Sequence, residues 1–118
     1  MDSLSWTALT LLFLATGFVF WGLMSPTHCL PSWTHKHDKL WHVLAFSALA
    51  ILAQGICTAA SPWVTWLVLS CTGLASEWMQ EKWAPGRLFS WGDALSNAIG
   101  AALGIAIAVP IWEMARNY

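Results

Sequence analysis

The sequence predicts an all-α integral membrane protein, a bundle of four transmembrane helices with both termini on the same side. The chain of 118 residues is 58% hydrophobic and only 9% charged, whereas soluble domains are usually about 25% charged. A soluble fold of this size has too little interior to cover so much apolar surface. Ten tryptophans, most of them near the ends of apolar runs, fit the membrane–water interface.

We expect a single domain, residues 1–118, with helices at about 4–24, 40–60, 62–80 and 93–112. At about 1.5 Å per residue the first helix spans roughly 30 Å, one hydrocarbon core. A cleaved signal peptide is the rival interpretation. No Lys or Arg precedes the run and no A-x-A site follows it, so we expect the helix to be retained.

Residues that break or cap helices coincide with the predicted boundaries. They are Pro26 and Pro31 after helix one, Asp38 at the start of helix two, Ser61-Pro62 at the start of helix three, Pro85-Gly86 after it, and Ser90 or Asp93 at the start of helix four.

Polar and ionisable residues are concentrated at one end of the predicted bundle. Such groups are expensive in a membrane and need a partner or a hydrated cavity. Because loops one and three lie on the same side, the topology brings one set of residues together: Asp38, His42, Glu77, Gln80, Arg87, Asp93 and Asn97. This polar end is the predicted functional site.

Helix four also presents small residues at helical spacing, Gly100 and Gly104. A small-xxx-small pattern allows close approach of another helix. We expect a packing face, either within the bundle or in a homo-oligomer.

Several function classes are disfavoured. A net charge of −1 without a basic patch argues against nucleic acid. No nucleotide-binding or hydrolase motif is present. His35, His37, Asp38 and His42 are metal-ligand types close in sequence, but their spacing matches no recognised site, so no metal or other cofactor is expected. Cys29 lies in a polar loop and is expected to be a free thiol.

The polar residues occur in an order and spacing that resembles the VanZ-like family. The matching pieces are Asp38-Lys39-x-x-His42, Glu77-x-x-Gln80, Pro85-Gly86-Arg87 and Ser90-x-x-Asp93-x-x-x-Asn97-x-x-Gly100-x-x-x-Gly104. They cover about residues 31–104. Helix one matches the family only in its position along the chain and not in its residues.

The resemblance implies a small multi-pass protein of a bacterial cytoplasmic membrane, in a family named for a protein linked to teicoplanin resistance. It also implies that the polar loops face outward. Counting positive charges alone predicts the opposite orientation, because Lys36, Lys39, Lys82 and Arg87 lie in those loops and only Arg116 lies on the other side.

The expected function is to bind or act on an envelope lipid or cell-wall precursor, such as a polyprenyl phosphate or a peptidoglycan precursor. Glu77, Asp93, His42 and Asp38 are the candidate acids and bases. Arg87, Asn97, Gln80 and Lys39 are the candidate substrate-binding residues. Whether the protein is an enzyme stays open.

The alternative is a non-enzymatic membrane component that docks a membrane protein partner. In that case the polar residues form a structural network, with Glu77 paired to Arg87, Asp93 capping helix four and Asn97 bonded to helix three.

Overall fold

Four helices make up the computed structural model, which describes residues 2–25, 29–30, 32–33, 37–56, 61–84 and 86–118. They are α1 (Ser3–Met24), α2 (Asp38–Ile56), α3 (Pro62–Trp83) and α4 (Trp91–Asn117), and no strand occurs in these ranges. The all-α prediction is confirmed. Pro26, Pro31, His28, His35, Cys57, Pro85 and the predicted end of helix two at 57–60 lie outside the described residues.

The observed helix boundaries follow the capping residues in part. Ser90 caps α4, since its Oγ accepts a hydrogen bond from the Asp93 N–H. Ser61 precedes α3 with Pro62 in the first turn, as predicted, but its side chain makes no capping hydrogen bond. α4 continues to Asn117, five residues beyond the predicted end.

Three of the helices are long and apolar enough to cross a membrane: α1, α2 and α4. α3 has 22 residues, enough for about 33 Å, but Glu77, Gln80, Glu81 and Lys82 make its last turns polar. The fourth crossing therefore stays a prediction.

Most large apolar side chains of the helices are exposed, and most of the buried residues are small or polar. Phe13 is 78% exposed and Phe18 is 71% exposed, whereas Ala50, Ala101 and Ala108 are fully buried. In water this arrangement would be unfavourable, but lipid tails cover an apolar exterior without cost. The distribution fits a bundle whose outer surface faces a bilayer.

The most extensive helix interface joins α2 and α4. A Cβ added at Gly100 would collide with the Val43 carbonyl, and one at Gly104 would collide with the Ser47 carbonyl. The two glycines therefore let the helix backbones approach closely within this chain. The predicted small-residue face is used inside the bundle, and a homo-oligomer through it stays a prediction.

Side-chain contacts at one end of the bundle confirm the up-and-down order of the helices, in which α2 and α4 run parallel. At the end opposite the polar one, Arg116 of α4 donates hydrogen bonds to the Gly55 carbonyl and the Ser5 Oγ. Both chain termini therefore lie at this end. Asp2 lies 4.0 Å from Arg116 and accepts a hydrogen bond from the Ser5 N–H. Hydrogen bonds with Ser5 hold the pKa of Asp2 below its ordinary value.

Candidate functional site at the polar end

Three helices and the loop before α4 contribute side chains to the polar end. Asp38, Lys39 and His42 come from the first turns of α2, and Asp93 and Asn97 come from the first turns of α4. The spacing of four residues places Asp38 with His42, and Asp93 with Asn97, on one helix face. Glu77 and Gln80 come from the end of α3, and Arg87 comes from the loop that follows.

His42 lies at the centre of this group and is only 5% exposed. Its Nδ1 is 2.7 Å from the Asn97 Oδ1 and 3.8 Å from the Glu77 Oε1. On the opposite side of the ring, Nε2 is 3.5 Å from the Asp93 Oδ2 and 3.8 Å from the Asp38 Oδ1. We call Asp38, His42, Glu77, Asp93 and Asn97 the polar cluster.

The contact between His42 and Asn97 fits a proton on Nδ1. The Asn97 amide presents its oxygen here, and an amide oxygen only accepts hydrogen bonds, so Nδ1 is the donor. In the neutral ring, Nε2 then presents its lone pair to the carboxylates of Asp38 and Asp93. This nitrogen is suited to take up a proton or to bind a cation.

Lys39 forms the closest ion pair in the group. Its Nζ lies 2.8 Å from the Asp93 Oδ1, which leaves Oδ2 facing the histidine. Gly92 makes room for this contact, since a Cβ there would lie 2.9 Å from the Lys39 Nζ. Lys39 therefore orients Asp93 in this structure, and contact between Lys39 and a substrate stays a prediction.

Glu77 is the least compensated member of the polar cluster. It is 0% exposed, and neither carboxylate oxygen has a hydrogen-bond partner among the described residues. The predicted pairing of Glu77 with Arg87 is wrong, because no such ion pair forms and the Arg87 Nε is also without a partner. An uncompensated buried carboxylate is costly, and such strain is typical of functional sites.

Two further predicted contacts differ in the structure. Asn97 bonds α2 through His42 rather than α3, and the role of capping α4 belongs to Ser90 rather than Asp93. Gly73 of α3 instead leaves space for Asn97, since a Cβ there would lie 2.8 Å from the Asn97 Cβ. Sequence reasoning missed Gly73, although it precedes Glu77 by four residues on the same helix face.

Gln80 and Arg87 both contact the end of α1. The Gln80 Nε2 donates to the Leu23 carbonyl at 2.7 Å, and Arg87 donates to the Gly22 carbonyl at 3.4 Å. These carbonyls are among the last of α1 and have no partner within the helix. Gln80 and Arg87 therefore connect α1 to the polar end, and substrate binding by Gln80 stays a prediction.

A cavity of about 380 Å³ lies between α1 and α2 and reaches the polar cluster. Asp38, His42 and Arg87 line its polar part. The other lining residues are mostly apolar: Phe18, Val19, Trp21, Gly22, Leu23, Leu30, Trp33, Trp41, Ala45 and Phe46. We call this space the α1–α2 groove.

The histidines and carboxylates that the structure brings together are not the set considered from the sequence. Asp38, His42 and Asp93 each place one potential ligand atom within 4.8 Å of the others. His37 is not in this group, and His35 lies outside the described residues. Asp93 joins the group because α4 packs against α2, which local spacing does not show.

Comparisons of the chain with protein-family models, with curated proteins and with solved structures gave no match. Fold and site together define a small helical protein that is compatible with a lipid bilayer and carries a buried polar cluster at one end. The relation to VanZ-like proteins stays a prediction from the sequence.

Proposed function

We propose that this protein binds an amphipathic envelope lipid with an anionic headgroup, such as a polyprenyl phosphate or a lipid-linked peptidoglycan precursor. The α1–α2 groove carries the proposal, because it combines an apolar channel with polar residues at one end. Ligand sites have this character, an apolar lining with a few well-placed polar groups.

In this proposal the apolar chain of the lipid lies against Phe18, Trp41 and Phe46, and the headgroup lies near Arg87. A guanidinium matches the geometry of a phosphate or carboxylate. Among the described residues, the Arg87 side chain makes one long hydrogen bond, to the Gly22 carbonyl, and its Nε has no partner. The guanidinium of Arg87 can therefore donate further hydrogen bonds to an anionic headgroup.

The resemblance to VanZ-like proteins suggests the location and the orientation of the protein. We place the protein in a bacterial cytoplasmic membrane, with four crossings and with the polar end facing outward, where cell-wall precursors and glycopeptides meet. Proton transfer by Glu77, Asp93, His42 or Asp38 stays a prediction, so the proposal is one of binding. The docking alternative is less favoured, because Gly100 and Gly104 already pack against α2 within the chain.

A binding experiment with two variants and one matched control tests the proposal. A short-chain prenyl phosphate is titrated into the detergent-solubilised protein, and bound lipid is measured by native mass spectrometry. Ala45→Phe places a ring in the α1–α2 groove and Arg87→Gln removes the cation, so each should reduce binding at least about tenfold. Ala48→Phe adds the same ring to an exposed position of α2 and should bind like the wild type.

Two results would overturn the proposal: no saturable binding by the wild type, or equal binding by Ala45→Phe and Ala48→Phe. The link to glycopeptides is tested separately. Bacteria that express the wild-type chain should differ in teicoplanin susceptibility from bacteria that express Arg87→Gln at the same membrane level.

A further inference from the structure

Three potential metal-ligand atoms converge on one side of the His42 ring. The Nε2 of His42 lies 3.5 Å from the Asp93 Oδ2 and 3.8 Å from the Asp38 Oδ1, and all three atoms lie within 4.8 Å of one another. Two ligand atoms on a tetrahedral ion with bonds of about 2.1 Å are about 3.4 Å apart. Small side-chain movements would therefore complete the geometry.

The opposite nitrogen of His42 has the support that metal-binding histidines require. Metal-ligating histidines donate their second N–H to a carboxylate, a carbonyl or water, which fixes the tautomer and the ring orientation. Here Nδ1 donates to the Oδ1 of Asn97, which is fully buried. The lone pair of Nε2 consequently points at the two carboxylates.

Lys39 does not compete for the same oxygen. Its Nζ binds the Asp93 Oδ1 and leaves Oδ2 directed at the histidine. Lys39 is also 60% exposed, so most of its charge is screened by water. Asp93 can therefore keep its ion pair and supply one oxygen to an ion.

Glu77 adds a third carboxylate to the polar cluster, from the other side of the His42 ring. It is fully buried, and its Oε1 lies 3.8 Å from the His42 Nδ1, whereas Asp38 and Asp93 face Nε2. Buried charges in proteins are normally paired or bound to metals. Glu77, Asp38 and Asp93 bring three carboxylates to one histidine, and a divalent cation would offset their repulsion.

We propose that Asp38, His42 and Asp93 form a binding site for a divalent first-row transition metal ion such as Mn²⁺ or Zn²⁺. One imidazole with two carboxylates suits these ions, whereas Mg²⁺ and Ca²⁺ prefer ligand sets of oxygen alone. Asp38 is 41% exposed, so the site opens toward the α1–α2 groove that Asp38 lines. At least one coordination position is left for water or a ligand oxygen.

A metal site at Asp38, His42 and Asp93 differs from the sequence-based expectation of no metal. Metal binding can be tested without lipid, because the ion alone is the probe. Both proposals hold together if an ion on Asp38, His42 and Asp93 contacts the lipid headgroup, and each can fail without the other.

Metal binding is tested on the full chain, purified in detergent without a polyhistidine tag and treated with a chelator that is then removed. Mn²⁺ is titrated, free Mn²⁺ is measured by electron paramagnetic resonance, and Zn²⁺ is added as a competitor. We expect one equivalent of Mn²⁺ to bind and Zn²⁺ to displace it. Pulsed measurements should show coupling to one imidazole nitrogen.

Asp38→Asn is the decisive variant, because the half-exposed side chain can change without affecting packing. It should raise the Mn²⁺ dissociation constant at least about tenfold. Asn97→Ala, which removes the support of His42, should raise it by roughly 10–100-fold. The matched controls His37→Ala and Glu81→Gln change a histidine and an acid outside the group and should bind Mn²⁺ like the wild type.

Three outcomes would overturn the metal site: no stoichiometric Mn²⁺ binding by the wild type, an unchanged dissociation constant in Asp38→Asn, or an equal loss in His37→Ala. Thermal unfolding of each variant without metal shows whether it is folded. The Asp38→Asn result therefore decides the question even if Asn97→Ala does not fold.

Discussion

The His42 Nδ1 and the Asn97 Oδ1 lie 2.7 Å apart across the interface between α2 and α4. This hydrogen bond joins the first turns of two helices that run parallel to each other, and both residues are buried. It holds the imidazole ring so that Nδ1 faces Asn97 and Nε2 faces Asp38 and Asp93. The chemistry available at the polar end therefore depends on how closely these two helices approach.

Removing Asn97 should destabilise the bundle. Asn97→Ala leaves the Nδ1–H of His42 without an acceptor in a buried position, and losing one partner of a buried hydrogen bond costs about 1–3 kcal/mol. Thermal or denaturant unfolding in detergent measures the change. Asn117→Ala alters an exposed asparagine of the same helix and should leave the stability unchanged. Equal stability of the two variants would contradict the role assigned to this bond.

Glu77→Gln should stabilise the protein, whereas Asn97→Ala should destabilise it. The carboxylate is buried and has no hydrogen-bond partner in the part of the chain that the structure describes, so a neutral amide of similar shape removes a buried charge. We expect the free energy of unfolding to rise by about 1 kcal/mol or more, measured without metal. Glu81→Gln, which changes an exposed acid one turn later on α3, should be neutral. A clear loss of stability in Glu77→Gln would show that the carboxylate is compensated.

Substitution of Gly104 tests the packing of α4 on α2. Gly104→Ala places a methyl group against the Ser47 carbonyl and the Ala50 Cβ, and overpacking of this kind costs about 1–3 kcal/mol. Gly17→Ala is the matched control, because a Cβ at that position of α1 meets no atom within 4 Å. It should stabilise the helix by up to about 1 kcal/mol. A Gly104→Ala protein as stable as Gly17→Ala would show that α2 and α4 are not in close contact.

Arg116 should be the main stabilising residue at the end that holds the termini. Arg116→Ala removes hydrogen bonds to the Gly55 carbonyl and the Ser5 Oγ, and bonds from charged donors contribute about 1.5–3 kcal/mol each. The loss in unfolding free energy should therefore exceed that of Lys82→Ala, a cation exposed at the end of α3. A smaller loss in Arg116→Ala than in Lys82→Ala would contradict this role.

Cys29 reports the orientation of the polar end. It is a free, exposed thiol in the loop between α1 and α2, so a membrane-impermeant maleimide should label it in intact cells if the polar end faces outward. Cys71 is exposed in the middle of α3, so if α3 crosses the membrane the bilayer should shield it from the impermeant reagent. Labelling only after the cells are opened would place the polar end in the cytoplasm. The Cys29→Ser variant measures the background labelling at sites other than Cys29.

Much of the fold follows from local features of the sequence. The length and apolar character of residues 3–24 are sufficient to predict α1, and Ser90 begins α4 because its hydroxyl accepts the N–H of Asp93. The predicted convergence of Asp38, His42, Glu77, Asp93 and Asn97 also occurs, because an antiparallel bundle with this connectivity places these turns at one end. Composition and helix periodicity act over a few residues, so a single sequence is enough to reveal them.

The partners of each polar group were decided by the tertiary structure. Glu77 does not meet Arg87, and Asn97 reaches His42 because Gly100 and Gly104 draw α4 against α2 while Gly73 leaves space on α3. Lys39 pairs with Asp93, 54 residues away in the chain. Helix spacing determines which residues share a face, whereas the rotation and separation of two helices depend on side-chain volumes at their interface, which become defined only when the helices pack.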